Sequence, residues 1–186
     1  MKNTVVFGYH NIGVSGIKKL IKHNFEIKLV VTHIDDENEK IWFKSVSNFC
    51  KINKINYVYF EKSSFLKLIK ILKLSNPEYI FSFYFRKIFP KEIIDLASIS
   101  FLNMHGSYLP KYRGAAPLNW QIISGEEKGG ASLHKVNKNI DAGDIVYQKS
   151  FRIYKKDNPV SLSKKINKTS EFILEKVLPD ILNKTK

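Results

Sequence analysis

Along the first half of the chain, short apolar runs alternate with segments in which apolar positions recur every three or four residues. Residues 4–7 form an apolar run closed by Gly8 and read as a buried first strand. Ile12, Ile17, Leu20 and Ile21 then follow helical spacing, and His23-Asn24 ends that pattern. A second strand is predicted over 26–32, followed by a polar loop over 33–39. Helical patterns over 46–52 and 65–74 enclose a third strand at 57–60. Asn76-Pro77 punctuates the chain before 79–83, its most strand-like run, and Pro90 opens a helix predicted to reach Leu96. Residues 101–103 read as a further short strand.

After Asn103 the rhythm changes. The stretch HGSYLPKYRGAAP, residues 105–117, holds two prolines and two glycines, which is loop chemistry. Strands over 131–135 and 145–151 flank the turn Asp141-Ala142-Gly143-Asp144. A last helix begins with Asn158 as cap and Pro159 at its first position, and Leu162, Ile166, Ile173 and Val177 mark its apolar face. Strands alternating with helices imply right-handed crossovers, hence an α/β fold with a mostly parallel, twisted sheet and helices on both faces. At 186 residues the chain fits a single domain.

Composition narrows the class. Apolar residues make up 44% and charged ones 26%, an ordinary globular balance. Cys50 is the one cysteine, so an internal disulfide framework is excluded and a reducing, cytoplasmic setting is expected. No run approaches the length of a membrane span, and MKNTVVFGYH lacks the apolar stretch of a secretory signal, so no membrane insertion is expected. The formal charge of +14 invites a nucleic-acid reading, yet only Arg86, Arg113 and Arg152 among the 31 basic residues are arginines. Arginine's planar fork is the usual tool for phosphate and base recognition, so solvated lysines are the simpler reading and no nucleic-acid partner is expected.

The segment from Gly8 to Gly13 lies where a phosphate loop would sit, but it has neither dinucleotide nor Walker spacing and reads as a tight turn. His10, His23, His33, His105 and His134 follow no metal-ligand spacing, and the cation that His33, Asp35 and Asp36 could hold is less simple than a solvated acidic loop. No metal is expected. Asn103 and His105 are more informative, because residues two apart on a strand face the same side. An amide donor beside an imidazole suits a reaction that builds an oxyanion and moves a proton, although the same pair could merely satisfy loop backbone. Asp141 is the natural carboxylate to orient His105 and favour its imidazolium, provided the two meet in space.

NMHGSYLPKYRGAAPLNW followed by NIDAGDIV resembles the formyltransferase family that uses 10-formyltetrahydrofolate. VVFGYHNIG, EKIWFKSV and YIFSFYFRKIF extend the resemblance over nearly the whole chain. Together they look most like the formyltransferase domain of the bifunctional enzyme acting on UDP-4-amino-4-deoxy-L-arabinose. The resemblance implies a Rossmann-like formyltransferase fold over residues 1–186, without the C-terminal domain usual in the family, and metal-free transfer of a formyl group to a primary amine. It implies that Asn103 stabilises the oxyanion, His105 transfers the proton, and Asp141 raises and orients His105. It maps the folate site onto Lys87, Ile88 and Phe89, and onto Asn137, Lys138, Asn139, Ile140 and Asp141. Its expected partners are folate and a nucleotide-linked amino sugar used in lipopolysaccharide or lipid A modification. Homo-oligomerisation is left open.

Two departures stand out: Ala115 replaces an arginine of the arabinose enzyme, and Tyr108 replaces the first leucine of a leucine-leucine-proline run. Two rivals remain, a methionyl-tRNA formyltransferase and a folate-binding protein without catalysis. The loop over 34–39 is acidic where tRNA enzymes carry a basic insertion, and retention of Asn103, His105 and Asp141 argues for catalysis.

Overall fold

The computed structural model describes residues 1–36 and 43–183, so the end of the polar loop and residues 39–42 of the EKIWFKSV motif lie outside the described residues. The contacts divide the chain into two compact units, Met1–Leu102 and Asn103–Lys186.

In the first unit, β1 (Lys2–Gly8), β2 (Phe25–Thr32), β3 (Tyr57–Tyr59) and β4 (Tyr79–Phe83) alternate with α1 (His10–Lys22), α2 (Val46–Ile52), α3 (Phe65–Leu74) and α4 (Lys91–Ile94). The strands pair in the order β3-β2-β1-β4, every pair parallel. Val5, Val6 and Phe7 of β1 and Ile80, Phe81 and Phe83 of β4 are fully buried. These near-continuous apolar runs are what a parallel sheet covered on both faces requires.

Glycine lets α1 approach the strands. A Cβ on Gly16 would lie 2.5 Å from the Phe83 ring, and one on Gly13 would lie 2.9 Å from Val46 Cγ2. The Gly8–Gly13 segment is thus a close helix–strand packing, not only a tight turn. Asn24 ends α1 in the left-handed conformation at φ 59°, its N–H donating to Ile21 O, as the His23-Asn24 signal predicts. Ser45 and Ser64 cap α2 and α3 through their side-chain oxygens. The helix opened by Pro90 closes at Ile94, short of Leu96, with the Asp95 N–H donating to Lys91 O and Ile93 buried.

β5 (Ser100–His105) runs across the division between the units and is longer than its apolar centre suggests. The second unit then holds α5 (Pro117–Ile123), β6 (Lys128–Lys135), β7 (Ile145–Arg152) and α6 (Pro159–Asn183). β6 and β7 are antiparallel and joined through the Asp141 turn. α6 packs on both strands and buries Leu162, Ile166, Ile173 and Val177, the face its spacing predicts. Asn158 Oδ1 accepts from Ser161 N at 3.0 Å while Ser161 Oγ accepts from Asn158 N at 3.0 Å, a reciprocal cap.

α5 has no apolar stripe to betray it, since Trp120 and Ile123 are exposed. It is held instead by the buried side chain of Gln121, which donates to Gly106 O at 3.0 Å and to Pro117 O at 2.9 Å. Among the described residues no helix is long and apolar enough to cross a membrane.

Candidate active site

Strand alternation places Asn103 and His105 on one face at the end of β5, with Met104 buried between them. Asp141 reaches them from the β6–β7 turn, where its backbone takes a left-handed φ of 47°. That turn closes tightly on β6: a Cβ on Gly143 would lie 1.9 Å from Lys135 O, a contact only glycine permits. The three residues singled out from the sequence are therefore brought together within the second unit.

Both carboxylate oxygens of Asp141 are engaged. Oδ1 accepts from Asn103 Nδ2 at 3.2 Å, and Oδ2 accepts from Gly114 N at 2.8 Å and lies 3.3 Å from His105 Nδ1. Because an ionised carboxylate only accepts, the nitrogen of the Asn103 amide must be the atom facing it. The same nitrogen lies 3.2 Å from His134 Nε2.

Each of the two histidines has one ring nitrogen fixed by a backbone carbonyl. His134 Nδ1 lies 2.8 Å from Lys135 O and donates to it, while Nε2 lies 3.2 Å from Asn103 Nδ2 and 3.3 Å from Asp141 Oδ1, where a hydrogen on Nε2 is donated to the carboxylate. His105 Nε2 lies 2.7 Å from Tyr112 O and likewise must carry a hydrogen, so the lone pair of the neutral ring is on Nδ1. Burial pushes the His105 pKa below its ordinary value of 6.5 against the opposing pull of the Asp141 charge and the Tyr112 carbonyl. The Asp141 effect has the expected upward sign, but burial outweighs it. Burial also pushes Asp141 up, yet His134, the His105 charge and the Gly114 N–H together hold its carboxyl below the usual value.

His134 is the member that sequence reasoning missed. The only signal was a polar residue on a buried strand running towards the Asp141 turn. Tyr112 O and Gly114 N left none, since a backbone group has no sequence signature.

Residues 137–140 form an exposed turn leading into Asp141, with Asn137 Oδ1 accepting from Asn139 N at 2.9 Å, and they make none of the trio's hydrogen bonds. In the first unit, Lys87, Ile88 and Phe89 follow β4 as an irregular segment. The Phe89 ring is anchored on Phe7 and Phe101, with centroids 4.9 and 4.7 Å apart, while Ile88 is 73% exposed. Among the described residues no backbone hydrogen bond engages the peptide groups of 87–89, so they can pair with the donor–acceptor edge of a ligand. No cluster of three or more potential ligands able to hold a metal ion occurs among the described residues. Tyr108 is accommodated by Gly130, where a Cβ would lie 2.9 Å from that of Tyr108.

An amide donor, an imidazole and a carboxylate thus converge beside a glycine-bearing loop, a set of groups able to donate to a developing oxyanion and to move a proton. The Formyl transferase family model matches residues 2–178, and the chain belongs to that family of formyl-transferring enzymes. It is 46% identical over 179 residues to the bifunctional polymyxin resistance protein ArnA of Wigglesworthia glossinidia brevipalpis, covering 96% of this chain and 27% of that protein. The chain thus spans about a quarter of the length of this curated relative. Among solved structures, phosphoribosylglycinamide formyltransferase from Streptococcus pneumoniae shares the fold at a TM-score of 0.80 and 18% identity, over 98% of this chain and 99% of that one. The N-formyltransferase from Helicobacter canadensis, in complex with folinic acid and dTDP-3-aminofucose, matches at a TM-score of 0.77 and 26% identity, over all of this chain and 65% of that one. The Rossmann-like α/β formyltransferase fold expected from the sequence is the fold found.

Proposed function

We propose that this chain transfers a formyl group to the primary amine of a nucleotide-linked amino sugar, UDP-4-amino-4-deoxy-L-arabinose or a related 4-amino sugar, for lipopolysaccharide modification. The observation that carries the reading is the convergence of Asn103, His105 and Asp141, with contacts of 3.2 and 3.3 Å to the shared carboxylate. The choice of acceptor is supported by the similarity to ArnA and to a formyltransferase crystallised with a nucleotide-linked amino sugar. The reading places the enzyme in the cytoplasm.

The donor in this reading is 10-formyltetrahydrofolate, which when bound supplies a formyl carbon on a nitrogen that can leave. The residues that the resemblance implies for it are Lys87, Ile88 and Phe89 of the first unit, and Asn137, Lys138, Asn139, Ile140 and Asp141 of the second. As the amine nitrogen bonds to the formyl carbon, it must lose a proton. His105 takes that proton on Nδ1, because Nε2 is already committed to the Tyr112 carbonyl. Asp141, its Oδ2 3.3 Å from Nδ1, stabilises the resulting imidazolium, which returns the proton to the departing nitrogen as the carbon–nitrogen bond breaks. Asn103 turns one amide hydrogen to the developing oxyanion, while the other stays on Asp141 Oδ1 at 3.2 Å and keeps the amide oriented. An oxyanion donor of this kind contributes about 3–4 kcal/mol and a positioned acid–base group about 10²–10⁴ in rate.

The test is mass spectrometry of a reaction containing the protein, UDP-4-amino-4-deoxy-L-arabinose and 10-formyltetrahydrofolate, with His105→Ala as control. A formylated sugar that disappears in the control is the expected result. Formylation of dTDP-linked amino sugars or of methionyl-tRNA instead would keep the mechanism and replace the acceptor. No product on any of these amines from the folded protein would overturn the reading.

A further inference from the structure

The backbone of Tyr112 has φ 58°, a left-handed conformation that a bulky aromatic residue adopts only under constraint. That turn of the chain is what directs Tyr112 O back onto His105 Nε2 at 2.7 Å. The other end of the same residue is tied down as well. Tyr112 Oη donates to Glu126 Oε1 at 2.9 Å, and Lys111 Nζ donates to the same oxygen at 3.0 Å.

Glu126 is itself fixed to the scaffold, since its N–H donates to Gln121 O at 3.0 Å, and Gln121, 1% exposed, reaches Gly106 O. On the other side of the loop, Ser107 Oγ donates to Lys111 O at 2.6 Å and Ser132 Oγ to Ser107 O at 2.8 Å. Lys111 and Tyr112 together hold the Glu126 carboxyl below its usual range, so it remains ionised as an acceptor. The strained peptide that selects the His105 tautomer is thus gripped at its side chain by one carboxylate fifteen residues or fewer away in sequence, outside the catalytic trio.

We infer that Glu126 is a positioning residue for formyl transfer: by holding Tyr112 through its hydroxyl, it keeps the Tyr112 carbonyl on His105 Nε2 and reserves Nδ1 for the proton. The inference rests on the reading of His105 as the proton carrier. Without the grip, the Tyr112 peptide relaxes from its left-handed conformation and its carbonyl leaves the ring. The neutral His105 can then move its hydrogen to Nδ1 and donate it to Asp141, so the nitrogen that should accept the proton is occupied. Glu126 touches neither reactant and acts only through Tyr112.

The experiment combines nitrogen NMR of the His105 ring in the resting protein with steady-state kinetics for wild type, Glu126→Ala, Glu126→Gln and Tyr112→Phe. Glu126→Ala and Tyr112→Phe are expected to shift His105 from the Nε2–H towards the Nδ1–H tautomer. They should lower kcat about 10- to 100-fold with a smaller effect on KM, the scale of a misplaced catalytic group. Both should also move the acid limb of the rate profile to lower pH, because the Tyr112 carbonyl is one of the contacts that raise His105. Glu126→Gln keeps an oxygen acceptor for the tyrosine hydroxyl and should restore the Nε2–H tautomer. The double variant of Glu126→Ala with Tyr112→Phe should lose no more than the worse single one. An unchanged His105 spectrum and pH limb in Tyr112→Phe would overturn the inference, even if Glu126→Ala does not fold. Because the spectrum is read without turnover, that outcome is distinct from a wild-type protein that formylates no amine.

Discussion

The side-chain amide of Asn103 donates one hydrogen to Asp141 Oδ1 at 3.2 Å, so the proposed oxyanion donor is oriented by the carboxylate that faces the proposed base. Asn103→Asp reverses that relationship. It removes the donor and sets a second carboxylate against the first, and two like charges at this distance cannot both ionise readily. The expected result is a loss of about 10²–10³ in kcat, and a carboxyl titration raised above the ordinary range. Asn103→Ala should lose comparable activity without the raised titration, which separates the missing donor from the added charge.

The pH dependence has a definite sign. Burial holds the His105 pKa below 6.5, so kcat should fall as acid protonates His105, with a midpoint below that value. Asp141→Asn removes the charge that raises His105 and should move the limb further towards acid, besides lowering kcat. Stability follows the same direction. The unfolded chain binds the histidine proton near its ordinary value while the folded chain resists it until a lower pH. Stability therefore decreases as pH falls through that window, with a slope of about 1.4 kcal/mol per pH unit for each such proton. Asp141, held low, adds stability that is present above its unfolded value and is lost as pH falls through its folded one. Urea titrations across the acid range check both signs.

In the first unit, His10 lies between the rings of Phe43 and Tyr84, with centroids 4.1 and 5.0 Å away. Burial, assisted by the Arg86 charge, lowers its pKa to about 4. Its ring resonances should remain those of the neutral form down to that region in an NMR titration. Arg86→Gln should move the midpoint upward, and an unshifted midpoint would assign the whole effect to burial.

Gly143→Ala tests how the Asp141 turn is held. The added methyl would lie 1.9 Å from Lys135 O, so the turn must open and carry Asp141 away from Asn103 and His105. Overpacking of this kind costs about 1–3 kcal/mol, and the accompanying displacement of a proposed catalytic group about 10²-fold in rate. Thermal unfolding and kcat measured on the same preparation should both drop. A fall in melting temperature with full activity would show that the turn can yield without moving Asp141.

Cys50 is fully buried, and burial pushes its thiol up to about 12. The native protein should therefore react slowly with a thiol reagent at neutral pH and stoichiometrically once unfolded in denaturant. Rapid labelling of the folded protein would mean that α2 opens readily.

Much of the fold was legible because its signals are local. The boundaries of α2, α3 and β4 coincide with their predicted patterns, and the stops at Asn24 and the cap at Asn158 act through neighbouring residues. α5 was not legible, since Trp120 and Ile123 face solvent and the helix is held by one buried glutamine. The sequence by itself determined that Asn103 and His105 share a face, because the period of a strand is two. Only the tertiary structure decided that Asp141 reaches both, that His134 joins them, and that the Tyr112 carbonyl selects the tautomer of His105. These contacts depend on how the loops close and where their peptide groups point. That is set by glycine clearances, left-handed residues and hydrogen bonds between residues distant in sequence, which periodicity does not encode.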